Sequence, residues 1–225
     1  MNALKTKSFI VSRSHSSNPS HPDIIIGNKP LENVNTMKFL GVIFDSKLTF
    51  KNYIDFVSSR ASSKIGIIRK AYHIYSDPNI NLTCFRSFVL PLLEYCSPVW
   101  ASASETHLNS LNKVFNQAKF LFPNNGNYDL SHRRTISSLS VFYKIHHNPN
   151  HPLAQAMPGP RVFNRDTRSS HTLHPHCVTL PRARTEQFKR SFIPSTSSVW
   201  NKLPPAAFIG DDLNCFKRTV NRLLK

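Results

Sequence analysis

The sequence MKFLGVIFDSKLTF (37–50) runs directly into a long basic segment, KNYIDFVSSRASSKIGIIRKAYHIY (51–75). Apolar residues occupy both alternating sets of positions in 37–45, so the pattern predicts a short strand at 38–44 that is buried on both faces. Gly41 falls inside this strand, at a point where another backbone or a ligand can approach closely.

Residues 50–75 have the period of an amphipathic helix, because apolar side chains recur at three- and four-residue steps. That apolar stripe consists of Phe50, Tyr53, Ile54, Val57, Ala61, Ile65, Ile68, Tyr72 and Tyr75. Five basic residues lie off the stripe: Lys51, Arg60, Lys64, Arg69 and Lys70. A buried strand that leads into a basic helix is an arrangement suited to holding a nucleic-acid backbone.

The charge balance of the chain indicates a polyanionic partner. The 29 Lys and Arg residues against 12 Asp and Glu give a formal net charge of +17 at pH 7. Nucleic acid is the leading candidate for that partner, and an acidic membrane surface is the second. The 225 residues are long enough for one domain or two small ones, and 40% hydrophobic residues exclude a wholly disordered protein.

The cysteines and the apolar runs bear on the compartment. Four widely spaced cysteines without a Cys-x-x-Cys pair do not form a disulfide framework, which favours a reducing compartment. The first residues lack the apolar core of a signal peptide, and the most apolar run (88–93) is short and contains Pro91. We therefore expect an intracellular protein, nuclear or cytoplasmic and not secreted, with no membrane partner.

Two more short strands are predicted before residue 37, at 8–12 and 23–27. The first 45 residues would then form a small sheet without its own core, as at the end of a larger domain. Capping residues and apolar periods predict four further helices: 79–95 after Asp77-Pro78, to about 122 after Ser104 or Thr106, to about 146 after Asp129 or Ser131, and 213–224 after Asp211 or Asp212.

The helix at 79–95 contains Pro91, which should kink it, and the run 97–100 should end it. From residue 148 onward, the composition of the sequence changes and the helical period is lost. Residues 148–161 hold four prolines and no clear period, 165–184 are rich in Arg, His and Ser, and 188–200 interleave aromatic with basic residues. The predicted fold class is α+β, mostly helical, with a small sheet, a helical bundle and a basic, partly irregular tail.

Four blocks of this sequence resemble the C-terminal part of reverse transcriptases from non-LTR (LINE-type, jockey-like) retrotransposons. They look like the close of the motif after the catalytic hairpin, the primer-grip strand and its exit, the thumb signature, and the tail beyond the thumb. In that order, the blocks are KTKS (5–8), KFLGVIFD (38–45) with LTF (48–50), LPLLEYCSPVW (90–100), and FKRSF (188–192) with VWNKLP (199–204). Each is weak alone, but together they span nearly the entire chain.

The resemblance implies a palm remnant at 1–49, a helical thumb at 50–147, and a basic Pro/Arg/His-rich tail at 148–225 that ends in a helix. The family's polymerase site needs three aspartates that hold two Mg²⁺ ions, two of them in an aromatic-x-Asp-Asp turn between strands. That site would lie upstream of Met1. The run FIGDD (208–212) is superficially similar in sequence to that turn. A helix pattern follows it, so Asp211 or Asp212 is predicted to cap that helix.

The resemblance implies that the backbone at 39–42 supports a primer end. The alternative is ordinary sheet core, which favours the same residue types. The basic residues of helix 50–75 are candidates for phosphate contacts. The alternative is that they form an ordinary solvated face of the helix. Phe192 and Trp200 are more simply core anchors of the tail, whereas the arginines beside them and Phe188 favour binding. The candidate nucleic-acid-binding residues are Phe39, Leu40, Gly41, Val42, Lys51, Arg60, Lys64, Arg69, Lys70, Arg182, Arg184, Lys189 and Arg190.

Two loose groups of metal-ligating residues are present, and neither has finger spacing. One is His171, His174, His176 and Cys177, interrupted by Pro175; the other is His146, His147 and His151. We therefore predict no metal site and no cofactor in this chain, with Mg²⁺ expected only for the missing polymerase site.

Three hypotheses remain open from the sequence. The leading one is a nucleic-acid-binding fragment that holds template RNA and primer but lacks the catalytic aspartates and does not polymerise alone. The second is a working part of an active reverse transcriptase whose finger–palm portion is supplied by another chain. The third is a relic open reading frame whose product folds poorly and aggregates through an exposed strand edge at 39–44.

Overall fold

The structure is a computed structural model of the chain, and it describes residues 6–12, 24–26, 29–74, 77–118, 129–162, 174–210 and 212–224. Six short strands in the described residues form three separate two-stranded sheets. β1 pairs with β4 in parallel, whereas β2–β3 and β5–β6 are antiparallel. The strands are β1 (Lys7–Ser8), β2 (Ile25–Ile26), β3 (Lys29–Pro30), β4 (Glu32–Asn33), β5 (Thr36–Phe39) and β6 (Val42–Asp45).

The strand predicted at 38–44 is a β-hairpin instead. Leu40 and Gly41 form its two-residue turn, with φ values of 46° and 86°. Positive φ at both turn residues matches the right-handed twist of the flanking strands, so a tight hairpin forms. The prediction of burial on both faces was wrong, since Phe39 and Leu40 are exposed and only Val42 of the candidate grip residues is in the core.

The carboxylate of Asp45 organises the exit from this hairpin. Its Oδ1 accepts hydrogen bonds from the backbone N–H of Lys47 (3.1 Å) and Thr49 (3.0 Å), and its Oδ2 accepts one from the N–H of Phe50 at 2.7 Å. Leu48 and Phe50 have positive φ values of 51° and 57°. The side chain therefore fixes a tight corner that delivers the buried Phe50 ring to the start of the first helix.

Helix α1 covers Lys51–Ile74, close to the predicted 50–75. The predicted stripe is confirmed up to Ile68, because Phe50, Tyr53, Ile54, Val57, Ala61, Ile65 and Ile68 are buried. Tyr72 is only half-buried, and Tyr75 lies outside the described residues. The helices that pack beside α1 are α2 (Pro78–Cys84), α3 (Leu90–Glu94), α4 (Ser97–Trp100) and α5 (Glu105–Gln117). Asp77 and Ser104 are side-chain caps as predicted: Asp77 accepts from the N–H of Asn79 and Ser104 from the N–H of His107.

A π-helix at Phe85–Val89 joins α2 to α3, and the N–H of Leu90 donates to the carbonyl of Phe85. Such an insertion relieves the clash that Pro91 would cause with a regular preceding turn, so the predicted irregularity takes this form. After Tyr95, Cys96 adopts a left-handed conformation (φ 52°) and the short helix α4 begins. The run 97–100 therefore starts a helix, where the sequence predicted an end.

From residue 129 onward, the described residues add four helices and two 3₁₀ turns, at Ala154–Ala156 and Pro205–Phe208. Asp129 caps α6 as predicted, by accepting from the N–H of Ser131. Asp212 stands at the N-cap of the last helix without a side-chain cap bond, and Asp211 lies outside the described residues. The helices are α6 (Leu130–His146), α7 (Glu186–Arg190), α8 (Phe192–Trp200) and α9 (Leu213–Leu223).

Two clusters of buried side chains form the interior. The first core combines α1–α5 with Val42, Phe50 and Leu130. The tail core surrounds Trp200, which is 0% exposed, and confirms Trp200 as an anchor. It contains Leu139, Phe142, Tyr143, Val178, Trp200, Leu203, Ala207, Phe216 and Val220. Helix α6 thus begins in the first core and ends in the tail core.

The predicted fold class, mostly helical α+β with small sheets, is confirmed. All four cysteines are free thiols. Among the described helices, none combines the length and the apolar character needed to cross a membrane.

Candidate nucleic-acid interface

Alternating cations and exposed aromatic rings run along one flank of α1. The guanidinium of Arg60 lies over the ring of Phe56, 5.4 Å from its centroid, and the ammonium of Lys38 lies over the same ring at 5.8 Å. One turn further along α1, the ammonium of Lys64 lies 5.4 Å from the ring centroid of Phe88. We call these five residues the basic–aromatic stripe.

Helical geometry explains why the stripe is continuous. Phe56, Arg60 and Lys64 follow one another at four-residue steps, which places them on one side of a helix. The rings retain accessible faces: 37% of Phe56 and 57% of Phe88 is exposed. Cations follow a phosphate backbone and exposed rings stack on bases, so this composition suits a single-stranded or frayed nucleic acid.

The β5–β6 hairpin is fixed against the helices next to the stripe. The phenol of Tyr95 donates to the carbonyl of Leu40 at 2.8 Å, and its ring lies against Gly41. The indole N–H of Trp100 and the hydroxyl of Tyr53 donate in turn to the carbonyl of Tyr95, at 2.8 Å and 3.4 Å. The hairpin tip is thereby held by side chains of the first core.

The five basic residues predicted on α1 do not share one face. Lys51 and Arg69 are roughly five whole turns apart and share a side, whereas Lys51 and Arg60 are roughly two and a half turns apart and lie on opposite sides. Lys51 pairs with Asp55 at 2.7 Å, and Arg69 reaches the carbonyl of Gln117 at 3.5 Å. Lys70 is exposed but is not in the stripe. Arg60 and Lys64 are therefore the two that the structure places beside exposed rings.

The residues at the hairpin tip have two different environments. Phe39 and Leu40 project from the tip, with 57% and 75% of their surfaces exposed, and Gly41 completes the turn. Val42, in contrast, is 2% exposed and belongs to the first core. Its side chain therefore belongs to ordinary core packing, and the role of its backbone in a primer grip stays a prediction.

The basic residues of the tail lie on and before α7. Arg182 and Arg184 are exposed in an extended segment, and Lys189 is 3.5 Å from the carboxylate of Glu186. Arg190 is only half-exposed. Between them, the side-chain amide of Gln187 donates to the carbonyls of Lys47 (2.9 Å) and Leu48 (2.7 Å), which ties this part of the tail to the hairpin exit.

Within the described residues, Asp212 of FIGDD does not stand between two strands. Phe208 ends the 3₁₀ turn Pro205–Phe208, and Asp212 occupies the N-cap of α9. A two-metal site requires clustered carboxylates. The geometry of the described residues does not resemble such a site, so the similarity of this run is limited to its sequence.

Sequence reasoning missed three members of the interface. Phe56 and Lys38 were not considered, and Phe88 was counted among the apolar residues of a regular helix. The four-residue spacing of Phe56 and Arg60 was a usable signal for the first. The exposure of Phe88 could not be predicted, because it lies within the π-helix, where the regular helical spacing of apolar positions is interrupted.

Comparisons with known proteins point to one class. A stretch of 101 residues, 43% of this chain, is 25% identical to a Drosophila melanogaster protein described as "Probable RNA-directed DNA polymerase from transposon X-element". The match supports a relation between this chain and a retrotransposon reverse transcriptase. It covers 11% of the length of that protein. No protein-family model and no solved structure matches the chain.

Proposed function

We propose that this chain is the C-terminal, nucleic-acid-binding part of a retrotransposon reverse transcriptase, and that it holds template RNA and primer. In this proposal residues 1–49 correspond to the end of a palm with its primer grip, 50–147 to a thumb, and 148–225 to a tail. The similarity to a transposon polymerase and the net charge of +17 support the proposal.

The basic–aromatic stripe is the single observation that carries the proposal. An ordinary solvated helix face needs no exposed aromatic rings, whereas here each ring carries a cation within 6 Å of its centroid. A base that stacks on Phe88 would place its phosphate within reach of Lys64. Phe39 and Leu40, exposed at the neighbouring hairpin tip, would extend the surface toward the primer end.

The tail supplies a second contact surface in this proposal. Arg182, Arg184, Lys189 and Arg190 would contact the phosphate backbone on the side of the hairpin exit, to which Gln187 attaches the tail. In this proposal the surface on α1 both stacks on bases and contacts phosphates, whereas the tail contacts phosphates only.

Catalysis is assigned elsewhere. We propose that the chain does not extend a primer by itself and that Mg²⁺ acts only at a polymerase site on a finger–palm portion. Primer extension with Mg²⁺, measured for the chain alone and with a separate finger–palm chain, tests this. Extension by the chain alone would contradict it, and extension by the pair alone would favour the hypothesis of an enzyme completed by another chain.

The binding proposal is tested by a salt titration with a primer–template that has a single-stranded overhang. Arg60→Ala combined with Lys64→Ala should weaken binding and make the slope of log affinity against log salt shallower by about 0.7 per lost phosphate contact to the single-stranded overhang. Lys51→Ala combined with Arg69→Ala is the matched control. It removes the same two charge types from the same helix, on the opposite side.

Equal loss in both double variants would mean that net charge, and not the stripe, determines binding. Absence of measurable affinity for RNA and DNA at low salt would reject the function altogether and favour the relic hypothesis.

A further inference from the structure

Three histidines from two distant parts of the chain meet at the end of α6. His146 is the last residue of that helix and His147 is its C-cap. His176 lies in the turn at residues 174–177, which leads into the buried Val178. One ring nitrogen from each of the three histidines lies within 4.8 Å of those of the other two. Considered in sequence, the histidines fell into two unrelated groups.

The turn that carries His176 is held in place by the tail core. The indole N–H of Trp200 donates to the carbonyl of His176 at 2.7 Å. Next to it, the side chain of Asn201 donates to the carbonyl of Val178 (2.7 Å) and accepts from its N–H (2.9 Å). The position of His176 is thus set by hydrogen bonds that do not involve its imidazole.

Each of the other two histidines has a feature of a metal ligand. Nδ1 of His147 lies 3.0 Å from the carbonyl oxygen of Tyr143, so it donates there and leaves Nε2 free. Metal-ligating histidines nearly always donate their second N–H to such an oxygen. Nδ1 of His146 is buried and has no hydrogen-bond partner among the described residues, which is costly for a polar atom.

We propose that His146, His147 and His176 bind one Zn²⁺ ion, which joins the end of α6 to the turn before Val178. Four-coordinate zinc with imidazole ligands places its nitrogens roughly 3.3 Å apart, so each ring has to move inward by about 1 Å. His147 is exposed, whereas His146 and His176 are half-buried. A water molecule would take the fourth position. This site is independent of the proposed nucleic-acid surface.

The direct test uses the full chain purified without a histidine tag, stripped with a chelator and titrated with Zn²⁺ in a calorimeter, in the absence of nucleic acid. The wild-type chain should bind one equivalent. His147→Ala and His176→Ala, which remove ligands from two different segments, should each weaken binding by roughly tenfold or more, a loss seen even when an outer-shell partner of a metal ligand is removed.

The control is His73→Ala. His73 is also an exposed histidine near the end of a helix, beside a tyrosine ring, but it lies on α1. Its removal should leave zinc binding unchanged. No binding by the wild type, equal binding by all variants, or a loss in only one of the two ligand variants would overturn the three-histidine site.

A second measurement needs no substitution and covers the case in which a variant does not fold. Long-range ¹H–¹⁵N spectra of the wild-type chain report every imidazole, of which there are 11. One equivalent of Zn²⁺ should shift the resonances of three histidines and leave the others in place. Small shifts spread over many histidines would instead show weak surface binding and would reject the proposal.

Discussion

The phenol of Tyr95 donates a hydrogen bond to the backbone carbonyl of Leu40, with 2.8 Å between the two oxygen atoms. This bond joins the tip of the β5–β6 hairpin to the residue that ends α3. The carbonyl of Tyr95 itself accepts from the Trp100 indole and the Tyr53 hydroxyl. One residue thus connects an exposed hairpin to two side chains of the first core.

Tyr95→Phe tests this connection. The variant loses the bond to Leu40 and should lower the free energy of unfolding only modestly, because water can replace the phenol at this exposed tip. Urea denaturation measures the loss, and amide exchange at 41–43 should quicken. Unchanged exchange in the hairpin would show that the strands hold themselves without Tyr95.

Two glycines should respond in opposite directions to the same substitution. Gly41 has φ +86°, where an L-residue is strained, so Gly41→Ala should destabilise the protein by about 1 kcal/mol. Gly66 lies inside α1 with no atom within 4 Å of an added Cβ, so Gly66→Ala should stabilise the protein by about 0.5–1 kcal/mol. Thermal unfolding of both variants checks the signs, and a shared sign would contradict the backbone argument.

Loss of an aromatic ring from the stripe should change affinity without changing the salt dependence of binding. Phe88→Ala should reduce affinity for single-stranded nucleic acid by about 1–3 kcal/mol through lost stacking. The salt slope should stay unchanged, because no phosphate contact is removed. Ile209→Ala serves as the control, since Ile209 is 84% exposed and lies in the tail. A flattened salt slope in Phe88→Ala would mean that the ring acts by positioning Lys64.

Alkaline pH should selectively weaken the region around Tyr53. Burial, with smaller contributions from Cys96 and Tyr95, raises the pKa of Tyr53 to about 12, against 10.0 for a free tyrosine. Between these values the unfolded chain ionises this phenol and the folded chain does not. The stabilisation is therefore complete below pH 10 and is lost as pH rises through 12.

Tyr53→Phe removes this ionisation, so the stability difference between wild type and variant should shrink from pH 8 to pH 11 in urea titrations. A difference that stays constant over this range would show that Tyr53 ionises equally in the folded and unfolded chains.

Local rules were enough for α1 and for the starts of three further helices. The apolar stripe of α1 was predictable because burial of one helix face imposes a three- and four-residue period. Asp77, Ser104 and Asp129 marked helix starts because their side chains accept the first free N–H groups. The core position of Trp200 followed from its size and its apolar neighbours.

The hairpin and the histidine site were beyond such rules. Leu40 is an unusual residue for positive φ, and in that conformation its carbonyl accepts a hydrogen bond from Tyr95, far along the chain. The sequence therefore looked like one uninterrupted strand. In the same way, the approach of His176 to His146 depends on the packing of Trp200, which no spacing within either histidine group reveals.

The two hydrogen bonds from the Gln187 amide to the hairpin exit have a consequence for multivalency. A basic tail on a flexible linker would lose conformational entropy when it contacts a strand that is already bound. Here the tail segment is already fastened beside the corner that leads into α1. For a strand held by the stripe, a second contact at the tail becomes an intramolecular event at high effective concentration, so two individually weak surfaces can give strong combined binding.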